Sequence, residues 1–279
     1  MDLLKETIKL CNKNNIKPAR SRGQNFLIND SVYNRIVESA NISKNDIVLE
    51  VGPGLGFLTF KLAANAKKVI AVELDKKLYK VLGIRHKELG IRNIEIINED
   101  ILDFQIPNSR FQFSNYKIVA NLPYNITSIF LRKFLEIENK PDLMVLMLQK
   151  EVAERIVAEP GKMSLLAVSV QFYTEAEIVE YVPKQDFYPE PEVDSAIIKI
   201  EPGINRGDID EKKFFQMVKF GFSQKRKMLK NNLSAGYQIK QKETEKLIIK
   251  AGLVSKIRAQ ELSTDDWIRL FAVIQENVL

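Results

Sequence analysis

From Ile47 to about Gln149, short apolar runs of strand length alternate with stretches whose apolar residues recur at helical spacing. Strands of a parallel sheet are covered on both faces and so read as continuous apolar runs. The alternation is that of an α/β domain around a mostly parallel sheet. It predicts strands at 47–52, 68–74, 93–99, 116–121 and 143–149, with helices at 56–65, 76–89 and 127–137 between them and another at 150–158. A helix at 164–173 then precedes two more strand-like runs, 176–182 and 194–201, which complete a seven-stranded sheet. Pro202-Gly203-Ile204-Asn205-Arg206-Gly207 has linker composition, and beyond it the pattern is helical: 211–222, 224–233, 242–251 and a last helix from Thr264. Ser263 is placed to cap that helix, with Asp265 and Asp266 in its first turn. The expected division is therefore residues 1–202 and residues 203–279, with no internal repeat.

Composition narrows the chemistry. At 279 residues and 45% hydrophobic content the chain has material for a full core. It contains no run of the roughly 18 apolar residues that a membrane span requires. The opening Met1-Asp2-Leu3-Leu4-Lys5-Glu6 lacks the apolar centre of a signal peptide, so a cytoplasmic protein is expected. Cys11 is the single cysteine, which leaves no internal disulfide, cysteine zinc site or cysteine-ligated cluster, and no metal is expected. His86, also alone, lies on a lysine-rich helical stretch and reads as a solvated residue rather than a base.

The net charge of +6 resides wholly in residues 203–279, which carry 15 Lys and Arg against 9 Asp and Glu. Lys225, Arg226, Lys227 and Lys230 are its densest cluster, and Lys5, Lys9, Lys13, Lys17, Arg20 and Arg22 form a smaller basic arm at the N-terminus. Such asymmetry points to a polyanion such as nucleic acid, although any single lysine could simply be a solvated surface residue.

Three strand ends and a turn carry the candidate chemistry. The first strand ends in Glu50-Val51-Gly52-Pro53-Gly54-Leu55-Gly56 and opens into a helix. Gly52 and Gly54 let the backbone turn tightly against a ligand, and Gly56 allows close packing, which implies a nucleoside cofactor. Glu73 closes the second strand, where a carboxylate can take the two hydroxyls of a ribose, or merely cap the next helix. Asp100 closes the third, placed either to accept from the exocyclic amino group of adenine or to stabilise a turn. The fourth delivers Asn121-Leu122-Pro123-Tyr124. The amino nitrogen of adenine is a poor nucleophile because its lone pair is delocalised into the ring. A catalyst must accept hydrogen bonds from its protons and hold the base against an aromatic face. The Asn121 side-chain oxygen and the Leu122 carbonyl could be those acceptors, with Pro123 fixing φ and Tyr124 stacking. The bland alternative is a strand end followed by a turn. A dehydrogenase would instead need a proton relay, usually with His, Tyr and Lys in catalytic reach, and nothing here supplies one cleanly. Methyl transfer from a sulfonium needs none.

These segments, together with Gly23-Gln24-Asn25-Phe26-Leu27, Gln149-Lys150-Glu151-Val152-Ala153, Phe187-Tyr188-Pro189-Glu190-Pro191-Glu192-Val193-Asp194-Ser195-Ala196 and Phe222-Ser223-Gln224-Lys225-Arg226-Lys227-Met228-Leu229, make the chain resemble the ribosomal RNA adenine dimethyltransferases. The resemblance implies a Rossmann-like S-adenosylmethionine methyltransferase domain at 1–202 and a helical RNA-binding domain at 203–279. It implies dimethylation at N6 of two adjacent adenosines in a hairpin loop near the 3′ end of small-subunit ribosomal RNA, by a monomer acting on a pre-30S particle, with a role in ribosome biogenesis. It further implies that Asn25 and Leu27 close over the cofactor, that Gly52, Gly54, Glu73, Asp100 and Asn121 bind it, and that Phe187 helps sandwich the target base. Where the family usually reads Tyr-Gly-Arg-Leu-Ser, this chain has Met163-Ser164-Leu165-Leu166-Ala167, without that Arg. The sister group that methylates large-subunit RNA and gives macrolide resistance is the nearest alternative. Leu122 and Val193-Asp194-Ser195-Ala196 favour the small-subunit enzymes. A non-catalytic assembly factor on the same fold is a second alternative, against which the intact Asn121–Tyr124 motif counts.

Overall fold

The computed structural model describes residues 2–18, 24–106, 115–204 and 206–278. Gly23, Arg20 and Arg22, singled out from the sequence, lie outside the described residues, as does Asn205 of the expected linker. The chain divides into two units, Met1–Ala153 with Glu175–Gly203, and Glu154–Thr174 with Ile204–Leu279.

The first unit opens with α1 (Leu3–Lys13), β1 (Phe26–Leu27) and α2 (Asp30–Ser39). The basic arm is thus in part a folded helix. Asp2 caps α1 by accepting from Lys5 N, and Cys11 packs in a small cluster with Ile16, Phe26, Leu55, Leu78 and Val81. All seven strands expected from the apolar runs then form: β2 (Ile47–Val51), β3 (Lys68–Val72), β4 (Ile94–Ile97), β5 (Lys117–Asn121), β6 (Leu143–Gln149), β7 (Thr174–Val182) and, after the two-residue β8 (Phe187–Tyr188), β9 (Ser195–Pro202). Their order is β4-β3-β2-β5-β6-β9-β7. The pairs from β4 through β6 are parallel and β6 with β9 is antiparallel, so the sheet is mostly parallel, as its apolar runs require. Helices α3 (Phe57–Asn65), α4 (Lys76–Leu89) and α5 (Thr127–Glu136) provide the crossovers. His86 of α4 departs from its solvated reading: it is half-buried, and its Nε2 is buried with no hydrogen-bond partner among the described residues.

After the short α6 (Lys150–Ile156), the second unit gathers α7 (Leu165–Gln171), α8 (Glu211–Gly221), α9 (Leu229–Tyr237), α10 (Gln241–Lys250) and α11 (Thr264–Asn277). The division expected at 202/203 therefore misses a segment, because residues 154–174 belong with the helices. The reason is long-range packing. Phe172 stacks on Phe214 at 4.7 Å, the Gly161 and Met163 N–H groups donate to Gln260 O, and the Arg206 guanidinium donates to the Phe172 and Gln171 carbonyls. Ser263 and Asp266 form the expected capping box of α11. The helix expected at 224–233 starts instead at Leu229. Asn232 Nδ2 donates to Gly221 O at 2.6 Å and Gln224 O at 3.1 Å, while Leu229 N donates to Ile257 O, which holds 223–228 as a turn. Among the described residues no helix is long and apolar enough to cross a membrane, and no cluster of three His, Cys, Asp or Glu could hold a metal.

Candidate active site

The sheet order dictates where a ligand goes. The chain runs outward from β2 to β4 and then returns to the other side of β2 to make β5. The topological switch therefore lies between β2 and β5, and a crevice opens beyond their carboxyl ends. A cleft of about 1330 Å³ lies there, larger than the roughly 300–1,000 Å³ of an ordinary single-ligand site. Asn25, Gly52, Glu73, Asp100, Asn121 and Pro123 all line it, as do Leu27 and Gly54. Residues as distant in sequence as Asn25 and Asn121 thus converge as expected.

The glycines shape one wall. Gly52, Gly54 and Gly56 all have left-handed φ, at 65°, 57° and 86°. Gly56 is also short of space, since a Cβ there would run into Leu82 Cδ1 of α4. Glu73 is buried and accepts from Gly54 N at 3.0 Å and Asp75 N at 2.8 Å, so it ties the glycine loop to the end of β3. Burial raises its pKa, opposed by those two backbone donors. Asn98 Nδ2 donates to the Glu73 and Leu74 carbonyls and holds the same corner. Asp100 Oδ1 accepts from Leu102 N at 2.9 Å.

At the end of β5, Asn121 Nδ2 donates to Asn25 O at 3.3 Å, which turns the amide oxygen away from that contact. Leu122 N continues the ladder by donating to Met147 O at 3.2 Å, and Pro123 holds φ at −56°. Tyr124 begins a single 3₁₀ turn, Tyr124–Ile126, that leads into α5. Its hydroxyl lies 2.8 Å from Ser195 Oγ, and Ser195 is fully buried at the start of β9. Register explains the meeting, since Ser195 pairs with Gln149 at the end of β6, next to β5. Burial raises the Tyr124 hydroxyl pKa, with the Ser195 hydrogen bond opposing.

Three of the expected catalytic residues do not line the cleft. Leu122 is 1% exposed and Tyr124 stands just beyond the cleft-lining Pro123. Phe187 departs most from expectation. It is 3% exposed, pairs with Leu27 between β8 and β1, and packs in the core with Tyr33 and Val182, so its ring is not on a surface a base could reach. Of the expected RNA-binding cluster, Lys225, Arg226 and Lys227 are exposed on the turn before α9. Lys230 is not available in the same way, because its ammonium pairs with Glu245 of α10 at 3.1 Å.

Glu50 is the residue that sequence reasoning passed over. It is 1% exposed, lines the cleft, and its Oε2 has no hydrogen-bond partner among the described residues. A carboxylate inside an apolar strand run was the available signal. Burial pushes its pKa up to about 8, Thr59 opposes and the Glu73 carboxylate adds to the rise. An orphaned buried acceptor beside Glu73 and a backbone cradle of glycines suits a polar, cationic, nucleoside-containing group. Because the folded value lies above the ordinary 4.5, this carboxyl favours folding fully below 4.5, and the contribution is lost as pH rises through about 8. The stability of ligand-free Glu50→Gln should therefore gain on that of the unsubstituted protein between about pH 5 and 8, at up to roughly 1.4 kcal/mol per pH unit, read as a widening melting-temperature difference. A melting-temperature difference that is flat across that range would show that Glu50 does not titrate there.

The family model of the ribosomal RNA adenine dimethylases matches residues 15–276. A ribosomal RNA small subunit methyltransferase A of Dehalococcoides mccartyi is 44% identical over 265 residues, covering 94% of this chain and 90% of the relative. The protein of the same name from Bacillus cereus is 39% identical over 262 residues, 90% of this chain and 89% of its own. Among solved structures, a dimethyladenosine transferase from Plasmodium falciparum superposes with a TM-score of 0.76 at 27% identity, covering 89% of this chain and 96% of that one. The 23S rRNA methyltransferase ErmE superposes at 0.73 and 30% identity, covering 90% and 100%.

Proposed function

The chain belongs to the ribosomal RNA adenine dimethylase family, and from that membership we propose that it dimethylates N6 of two adjacent adenosines in a hairpin loop near the 3′ end of small-subunit ribosomal RNA. It acts as a cytoplasmic monomer on an assembling pre-30S particle. The observation that carries this reading is the Asn121–Tyr124 turn at the end of β5, beside the glycine loop of β2 at the topological switch. Gly52, Glu73 and Asp100 would hold S-adenosylmethionine, which would supply an electrophilic methyl group on its sulfonium and would leave as a neutral thioether once that methyl is transferred. Asn121 Oδ1 and the Leu122 carbonyl accept from the amino protons of the target adenine. That draws its nitrogen toward tetrahedral geometry and frees the lone pair for attack. Tyr124, half-buried at the rim beside the cleft-lining Pro123, holds the ring, and the product ammonium loses its proton to water.

The large-subunit alternative draws on the likeness to ErmE at 30% identity, and the small-subunit reading on relatives of 39–44%. Incubation with tritiated S-adenosylmethionine and unmethylated small or large subunits, followed by mapping of the labelled base, tests it. Label on large-subunit RNA alone would replace the reading with its rival.

The helical unit, in this reading, grips phosphates through Lys225, Arg226 and Lys227. Removing one such cation from its phosphate should reduce the slope of log affinity against log salt by roughly 0.7–0.9. Neutralising all three should weaken subunit binding and flatten that slope by about two units, while cofactor affinity stays unchanged. Filter binding across a salt series decides it, and an unaltered slope in the triple variant would remove this turn from the RNA-binding surface.

A further inference from the structure

The stretch that follows Asp100 poses a local problem. Asp103 N and Phe104 N both donate to Asp100 O, and Leu102 N to Asp100 Oδ1, so residues 100–104 form a tight turn whose N–H groups point inward. The carbonyls of Ile101, Leu102 and Phe104 are left to converge on one point, as at a helix C-terminus. Lys133 fills it. Its Nζ donates to Ile101 O at 3.0 Å, to Leu102 O at 2.7 Å and to Phe104 O, which uses all three donors of the ammonium. Burial lowers the Lys133 pKa, and the carboxylates of Asp103, Asp100 and Glu99 oppose that fall. Lys133 stands on α5, the helix that continues directly from the Tyr124–Ile126 turn.

We propose that Lys133 is a positioning residue that fixes the Asp100 turn for the adenine of the cofactor and ties it to the helix carrying the catalytic turn. The inference rests on reading Asp100 as the acceptor for the cofactor's adenine amino group. With Oδ1 taken by Leu102 N, Asp100 has Oδ2 for that donor, and its direction depends on the turn that Lys133 holds. Lys133 touches no reacting atom.

The distinguishing probe is a pair of ligands, S-adenosylhomocysteine and its inosine analogue, which replaces the amino group with a carbonyl. Calorimetry on Lys133→Met should show affinity for the adenosyl ligand falling about tenfold, as expected when a charged donor to three part-buried carbonyls is removed. Affinity for the inosine analogue should fall by less than about twofold, and adding Lys133→Met to Asp100→Ala should cost less than about twofold more, since the two act through one contact. Lys133→Arg, which keeps a multidonor cation, should retain most of the discrimination. If Lys133→Met does not fold, Lys133→Gln, which keeps two donors and loses the charge, provides the same comparison. Equal loss for both ligands, or full additivity with Asp100→Ala, would reduce Lys133 to a general structural role and overturn the proposal. Unchanged adenosyl affinity in Lys133→Met while Asp100→Ala is weakened would overturn it alone. Unchanged affinity in Asp100→Ala would remove the Asp100 reading and this inference with it.

Discussion

Asn121→Ala should lower the rate of methyl transfer by roughly 10²- to 10³-fold while changing RNA affinity by less than about twofold. The amide is fixed by its Nδ2 bond to Asn25 O, so its oxygen is preorganised for a donor that matters most as the target nitrogen becomes tetrahedral. In the proposed reading, the phosphate contacts that dominate RNA affinity are made by Lys225, Arg226 and Lys227 and not by Asn121. Tyr124→Ala should be comparably slow because the stacking face is gone. Tyr124→Phe is the more informative change. It keeps the ring but leaves the fully buried Ser195 hydroxyl without its 2.8 Å partner, so it should retain most activity while losing on the order of 1 kcal/mol of stability. The Tyr124→Phe/Ser195→Ala double variant should recover part of that deficit. Single-turnover methylation alongside filter binding measures the first effect and thermal melts the second. A Tyr124→Phe variant as slow as Tyr124→Ala would show that stacking is the wrong role.

Glu73→Ala should abolish measurable cofactor binding and also destabilise the apoprotein, because it strips the acceptor from two backbone donors, Gly54 N and Asp75 N, at a buried corner. Leaving buried donors unpaired costs about 1–3 kcal/mol each. Asp100→Ala releases one donor, Leu102 N, in a half-buried turn, so it should weaken cofactor binding by about tenfold with a much smaller shift in melting temperature. Calorimetry with S-adenosylmethionine on both variants, read beside their melting curves, separates binding from scaffold effects. Wild-type affinity in both variants would remove the cofactor assignment of this cleft.

Much of the cleft wall built from Gly52, Glu73 and Asp100 was legible in the chain because its signals are local. Gly52, Gly54 and Gly56 announce left-handed backbone, Glu73 and Asp100 stand where apolar runs stop, and Pro123 sets its own φ. Glu50 was less legible, since its importance comes from burial and an unpartnered oxygen rather than from spacing. At Tyr124 the sequence speaks only for the ring. That its hydroxyl meets Ser195, 71 residues away, follows from the antiparallel register of β9 on β6.

By itself the sequence determined the seven strands, their predominantly parallel pairing, the capped last helix and the order of glycine loop, acid, acid and Asn-x-Pro-Tyr turn along the chain, because periodicity and turn chemistry are properties of neighbours in sequence. The tertiary structure alone decided that β1 pairs with β8 and buries Phe187, and that Lys230 is engaged by Glu245. It alone decided that α9 begins at Leu229, that residues 154–174 join the helical unit, and that Lys133 closes the Asp100 turn. Each of these rests on a contact between residues far apart in the chain. A two-residue strand, an ion pair or a buried ring has too little local preference to announce itself before its partner is in place.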